Sequence, residues 1–164
     1  MPPEPLFDLQ QLDQSRVLVD KAGIEDVNPQ RFEMQQLDAV VHIDPALHLI
    51  IGYKDIDADE FWVRGHMPDY PLMPGVIMCE AAAQLMGYYC KTHGLLDGSM
   101  IVFSGMEGVK FRGQVKVGDR FIIMTRAMKV HRRQVTCAAQ GYVGDKMVFQ
   151  ADIIGMPYTP RADG

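Results

Sequence analysis

Between Val76 and Tyr89 the chain reads Val-Ile-Met-Cys-Glu-Ala-Ala-Ala-Gln-Leu-Met-Gly-Tyr-Tyr, and Glu80 and Gln84 are its only plainly polar side chains. Their i, i+4 spacing sets both on one face of a helix, and the apolar residues take up the rest of its circumference. A helix so patterned is buried nearly all round, so the remainder of the chain has to wrap it. The helix is expected from Gly75 to about Thr92, with His93-Gly94 as its stop, because glycine accepts the left-handed conformation of a C-terminal cap.

The flanking segments carry strand signals. Arg16–Asp20 is a candidate first strand, and Val40–Ile43 and Leu47–Tyr53 are two more, separated by the turn-like Asp44-Pro45-Ala46. After the helix, strands are expected at Met100–Ser104, Val109–Val115, Arg120–Val130, Gln134–Val143 and Met147–Pro157. Gly144-Asp145 makes the last two a hairpin, and Val117-Gly118-Asp119 is another turn. Residues 1–14 read as a loosely held arm. An antiparallel meander covers one long helix only by curving around it, so the expected class is α+β, a hot-dog fold. A chain of 164 residues fits one domain over 1–164, and a half-wrapped helix leaves apolar surface for a second copy, so at least a dimer is expected.

Composition narrows the functions. No apolar run has the length of a membrane span, and Met1-Pro2-Pro3-Glu4-Pro5 lacks the charged start and apolar core of a signal peptide. Cys79, Cys90 and Cys137 have no metal-type spacing and read as reduced thiols in a cytoplasmic protein. The net charge of −5 hides an asymmetry: residues 1–60 hold thirteen acids and four bases, residues 110–133 eight bases and one acid. The basic stretch is either a solvated sheet face or a surface that steers an acidic partner. No nucleic-acid motif accompanies it.

The segment ahead of the helix holds the candidate chemistry. His66 lies in a loop stiffened by Pro68, Pro71 and Pro74, fourteen residues before Glu80. Each has an ordinary reading alone: a turn histidine, a solvent stripe, a tight corner at Gly75. Together they are a histidine suited to proton transfer near neutral pH, a carboxylate in apolar surroundings, and a helix-opening glycine whose N–H can meet a developing oxyanion. His42, His48, His93 and His131 lack such a setting.

The pattern Gly65-His66-x-Pro68-x-x-Pro71-Leu72-x-Pro74-Gly75-Val76-x-x-x-Glu80-Ala81-x-Ala83-Gln84 resembles the β-hydroxyacyl-acyl-carrier-protein dehydratases of the FabZ and FabA types. Glu80 is FabZ-like, whereas Gly113-Gln114-Val115 and the Gln84–Tyr89 stretch lean to the FabA type. The resemblance spans about residues 35–157. Met67, Asp69 and Tyr70 depart from the family's Phe and Gly-x loop positions, and the family's upstream Pro-His-Arg-Tyr-Pro-Phe element is not found before the first strand.

The resemblance implies a cofactor-free dehydratase without a metal, acting on acyl chains delivered by the phosphopantetheine arm of acyl-carrier protein. His66 would be the base and Glu80 of the partner subunit the acid. Gly75 and Val76 would form the oxyanion and substrate-binding position, with Gln84 behind Glu80. Lys110, Arg112, Lys116, Lys129, Arg132 and Arg133 would dock the acidic carrier. A homodimer, or a trimer of dimers, would be the assembly. Two alternatives stand beside this reading: a hot-dog thioesterase and a non-catalytic acyl- or carrier-binding module. An added isomerase activity, as in the FabA type, is disfavoured by glutamate at position 80.

Overall fold

The computed structural model describes residues 1–98 and 100–160; Ser99 and residues 161–164, part of the span expected to form one domain, lie outside the described residues. Helix α2 (Gly75–Thr92) forms where the apolar run predicts it. Met78, Cys79, Ala81, Ala82, Leu85, Met86, Tyr88, Tyr89 and Cys90 are buried. Val76, Glu80, Ala83, Gly87 and Lys91, spaced three or four residues apart, make a narrow, partly open stripe. The wrapping is therefore complete except along the line that carries Glu80.

The wrapper is one antiparallel sheet: β1 (Val19–Asp20), β2 (Ala39–Asp44), β3 (Leu49–Asp55), β4 (Met100–Phe111), β5 (Arg120–His131), β6 (Gln134–Val143) and β7 (Lys146–Tyr158). Its strand order is β1-β2-β3-β5-β6-β7-β4, so β4 crosses to the far edge and pairs with β7 alone. A short helix, α1 (Lys21–Glu25), follows β1. It begins at Asp20, whose carboxylate accepts from the Gly23 N–H. The α+β hot-dog class is thus the observed one, and no helix among the described residues is long and apolar enough to cross a membrane.

Three expectations need correction. Met100–Ser104 and Val109–Val115 are not separate strands but one, β4, ending at Phe111. The intervening Gly105 and Gly108 look like a break in sequence. They sit instead at two register shifts against β7, where bulges absorb the extra residues and Gly108 takes a φ of 60°. The first strand is shorter than Arg16–Asp20, and α1 was not foreseen.

The third correction concerns residues 1–14. The sheet has two apolar faces: one packs on α2 through residues such as Phe121, Ile123, Phe149 and Ile153. The other carries Val41, Leu49, Ile51, Ile122, Met124 and Tyr142, and the amino-terminal arm lies across it through Leu6, Phe7, Leu9 and Leu12. Gln140 fastens the arm, accepting from the Leu6 N–H at 2.9 Å and donating to the Glu4 carbonyl at 2.9 Å. An arm of this kind contributes to stability. Phe7→Ala, which removes a ring 4.5 Å from that of His42, is expected to cost about 1–2 kcal/mol in urea denaturation, below the cost of a fully buried Phe truncation. An unchanged midpoint would mean the arm is not part of the folded unit.

Candidate active site

His66 is placed by a loop that is stitched at every turn. Its N–H donates to the Trp62 carbonyl at 2.8 Å, and Trp62 is buried. Its own carbonyl accepts from Leu72 N–H at 2.8 Å, and Met67 and Tyr70 exchange a reciprocal pair at 3.2 and 3.0 Å. Met73 N–H then donates to Val115 beyond β4, at 2.9 Å, which ties the loop to the sheet. The peptide bond between His66 and Met67 is cis. The prolines of the loop therefore act with a network of backbone bonds in holding one conformation.

The imidazole is oriented as well. Its Nδ1 lies 2.8 Å from the Leu72 carbonyl oxygen. A carbonyl can only accept, so Nδ1 carries the proton and neutral His66 presents the lone pair of Nε2. That is the state a general base requires.

His66 shares an open cleft of about 340 Å³ with Leu72, Gly75, Val76, Met78, Phe111 and Gln114. The start of α2 forms one wall. Pro74 is the cap residue and offers no side-chain acceptor. Its carbonyl takes the Ile77 and Met78 N–H groups, while no carbonyl among the described residues accepts from Gly75 or Val76. Two open donors at the positive end of an eighteen-residue helix thus face the cleft. A Cβ at 75 would stand 2.6 Å from the Phe111 ring, so a side chain there would require that exposed ring to move.

Glu80 stands elsewhere. Its Oε1 accepts from Gln84 Nε2 at 2.8 Å. Gln84 is 2% exposed; it also donates to the Met34 carbonyl at 2.6 Å and accepts from the Gln36 N–H at 2.9 Å. Gln84 is consequently fixed by the 34–36 segment and holds Glu80 toward that side of the helix. Five residues from Gly75 are about 7.5 Å along the axis and about 140° around it. Glu80 does not line the cleft of His66, and no hydrogen bond joins the two residues within the described chain. One chain brings His66, Gly75 and Val76 together and keeps Glu80 with Gln84 apart.

Neighbouring Cys79 is no rival nucleophile. Burial pushes its thiol up to about 11, so near neutral pH it stays protonated.

The six basic candidates fall into two groups. Lys110, Arg112 and Lys116 lie around the end of β4: Lys110 pairs with Gln150 and Arg112 donates to it on the sheet face away from Phe111, while Lys116 donates to the Tyr70 hydroxyl beside the cleft. Lys129, Arg132 and Arg133 sit at the turn between β5 and β6, at the other end of a twelve-residue strand. Twelve strand residues extend roughly 36–40 Å, so the stretch is not one continuous patch.

Residues 28–152 match the FabA-like domain family. A 3-hydroxyacyl-[acyl-carrier-protein] dehydratase FabZ of Desulfotalea psychrophila is 32% identical over 139 residues, covering 83% of this chain and 91% of that protein. The FabZ of Acinetobacter baylyi is also 32% identical over 139 residues, covering 83% and 93%. Among solved structures, the dehydratase heterocomplex ApeI:P from Xenorhabdus doucetiae superposes with a TM-score of 0.66 at 13% identity, over 85% of this chain and 91% of that one, a likeness of fold. The family match starts at residue 28, seven residues ahead of the span of the motif resemblance. Pro29-Gln30-Arg31-Phe32 keeps the Pro-x-Arg-aromatic spacing of the element thought missing. Arg31 there donates to the Asn28, Gln30 and Glu25 carbonyls, shaping the segment whose Met34 carbonyl and Gln36 N–H hold Gln84.

Proposed function

Since the chain belongs to the FabA-like family, we propose that it is a FabZ-type 3-hydroxyacyl-acyl-carrier-protein dehydratase of fatty-acid biosynthesis whose site is completed across a dimer. The observation that carries this reading is the orientation of His66, with Nδ1–H given to the Leu72 carbonyl and Nε2 open beside the bare N–H groups of Gly75 and Val76. A thioester carbonyl held on those donors makes its α-proton acidic, because enolate charge develops where the helix end stabilises it. Nε2 takes the α-proton, the electron pair forms the Cα–Cβ double bond, and the β-hydroxyl leaves with a proton from Glu80 as water. The same steps in reverse hydrate the enoyl product. No redox change occurs, and the acyl chain stays on its sulfur throughout.

The position of β4 supports the dimer. Its outer edge has no strand partner among the described residues, and Phe103 and Phe111 on it are exposed. Pairing β4 antiparallel with its copy about a two-fold near its centre would set the Phe111 end of one chain against the Met100 end of the other. Phe111 lines the His66 cleft, whereas Ile101 lies with Ala83, Gln84 and Gly87 on the Glu80 stripe. The two halves of the site would thereby meet twice. A trimer of such dimers belongs to the same reading. Lys116 at the cleft rim, with Lys110 and Arg112 on the adjoining sheet face, would receive the acidic carrier, and Lys129, Arg132 and Arg133 would be a second, remote contact. A cytoplasmic setting suits three buried, free thiols.

The test is direct. Purified protein with a 3-hydroxyacyl thioester is expected to give conjugated enoyl thioester, read by its ultraviolet absorbance, without release of free thiol. Free thiol without enoyl product would move the chain to the thioesterases. Carrier bound but nothing turned over would leave a binding module.

A further inference from the structure

At the mouth of the His66 cleft three side chains form a hydrogen-bonded series. Lys116 Nζ lies 2.6 Å from the Tyr70 hydroxyl, which lies 3.0 Å from Gln114 Oε1. The direction of this series is fixed by its first member. An ammonium has three donors and no acceptor, so the Tyr70 oxygen must accept from Lys116. The single phenolic proton is then committed to Gln114, whose carbonyl oxygen takes it. The amide of Gln114 is thereby turned, and both N–H donors of its Nε2 are left without a partner among the described residues. Gln114 lines the same cleft as His66, Gly75 and Val76.

Tyr70 is itself held. Its backbone is bonded both ways to Met67, the residue after His66, and the Lys116 ammonium also lies 4.7 Å from its ring centroid. Asp119 fixes the turn below by accepting from the Lys116 N–H at 2.8 Å. The series therefore joins the histidine loop to the segment after β4 and sets the polarity of one amide at the rim.

We propose that Gln114, polarised by Lys116 through Tyr70, is a binding residue for the amide carbonyl nearest the thioester in the substrate's carrier arm. This rests on the dehydratase reading above. A phosphopantetheine arm has an amide two carbons from its sulfur, so a thioester seated on Gly75 and Val76 carries that amide toward the rim of the cleft. An arm carbonyl needs a donor there, and a glutamine free to flip would offer its oxygen as often as its nitrogen. Tyr70 and Lys116 are positioning residues in this scheme; they act through Gln114.

The experiment compares two thioesters of one 3-hydroxyacyl chain: the N-acetylcysteamine thioester, which keeps that amide, and the S-propyl thioester, which has none. The readout is the ratio of their kcat/KM values, which normalises any general loss in a variant. Wild type is expected to favour the amide-bearing substrate. In Gln114→Leu and Gln114→Glu that ratio should fall about fivefold to tenfold, mostly through KM, the scale of one hydrogen bond, and in Tyr70→Phe about twofold, since an amide free to flip still presents its nitrogen half the time. Gln114→Glu separates binding from architecture, because its carboxylate still accepts from Tyr70 but has no N–H to give. A ratio unchanged in all three variants, or restored in Gln114→Glu, overturns the proposal. If wild type turns over neither thioester, the dehydratase reading fails by itself. Calorimetric binding of S-hexyl pantetheine, an inert thioether, then decides the subsite. Binding weakened about fivefold to tenfold in Gln114→Glu and about twofold in Tyr70→Phe supports it, and equal binding in Gln114→Glu overturns it.

Discussion

Alanine at His66 and, separately, glutamine at Glu80 are each expected to lower turnover of a 3-hydroxyacyl thioester by about 10²–10⁴-fold, with folding intact. The size follows from what each group does. Nε2 of His66 would be the base, its tautomer fixed by the 2.8 Å bond from Nδ1 to the Leu72 carbonyl. On the proposed mechanism, removing it would leave water to take an α-proton that the Gly75 and Val76 donors could acidify but not remove. Glu80→Gln keeps shape and a carbonyl oxygen for the Gln84 donor now 2.8 Å away, so the helix and the 34–36 segment need not shift. It loses only the ionisable proton. If the two groups serve one transition state, the double variant should be scarcely slower than the worse single one. Steady-state enoyl formation on the three proteins, with circular dichroism as the folding control, checks the set. A single variant within tenfold of wild type would remove that residue from the proton-transfer role.

The parts of this molecule that were legible in the sequence are those whose signal is local. The α2 run, the Gly144-Asp145 hairpin and the proline-stiffened His66 loop each declare themselves within a dozen residues, by period, turn chemistry and restricted backbone. What escaped depends on partners far along the chain. The 1–14 arm looks loose because, beyond Met1 and its prolines, only Leu6, Phe7, Leu9 and Leu12 are apolar in it; their purpose is visible once the opposite sheet face, with Val41, Ile51 and Ile122, is seen to need a cover. That need was present in the text, since Leu49, Ile50 and Ile51 are consecutive and a strand so built is apolar on both faces. The division of β4 between Ser104 and Val109 has a related cause. A bulge and a turn use the same residue, and only the register with β7 tells them apart. The basic stretch divides in space for another reason: proximity in sequence is not proximity in a strand of twelve residues.

Two chains, each dead alone, should make a live enzyme together. His66 and Glu80 do not meet within one chain: Glu80 is drawn to the Met34–Gln36 side by Gln84, while His66 faces Phe111 and the start of α2. If the site forms across the dimer, a His66→Ala chain paired with a Glu80→Gln chain contains one site with both defects and one with neither. Differently tagged chains, co-expressed and purified through both tags, are then expected to recover about half the wild-type rate, since one of two symmetric sites is whole. The gain over either homodimer would approach the full loss of the single variants. A site closed within one chain predicts the opposite, because every chain in the mixed dimer carries a defect and activity stays at the background of the homodimers. The same preparation weighs the β4 edge. Proline at Phe103, on the edge that pairs only with β7, should weaken a strand-to-strand contact there. In the mixed pair it should lower both the doubly tagged yield and the recovered rate, and in proportion, because the second copy is then what completes the chemistry.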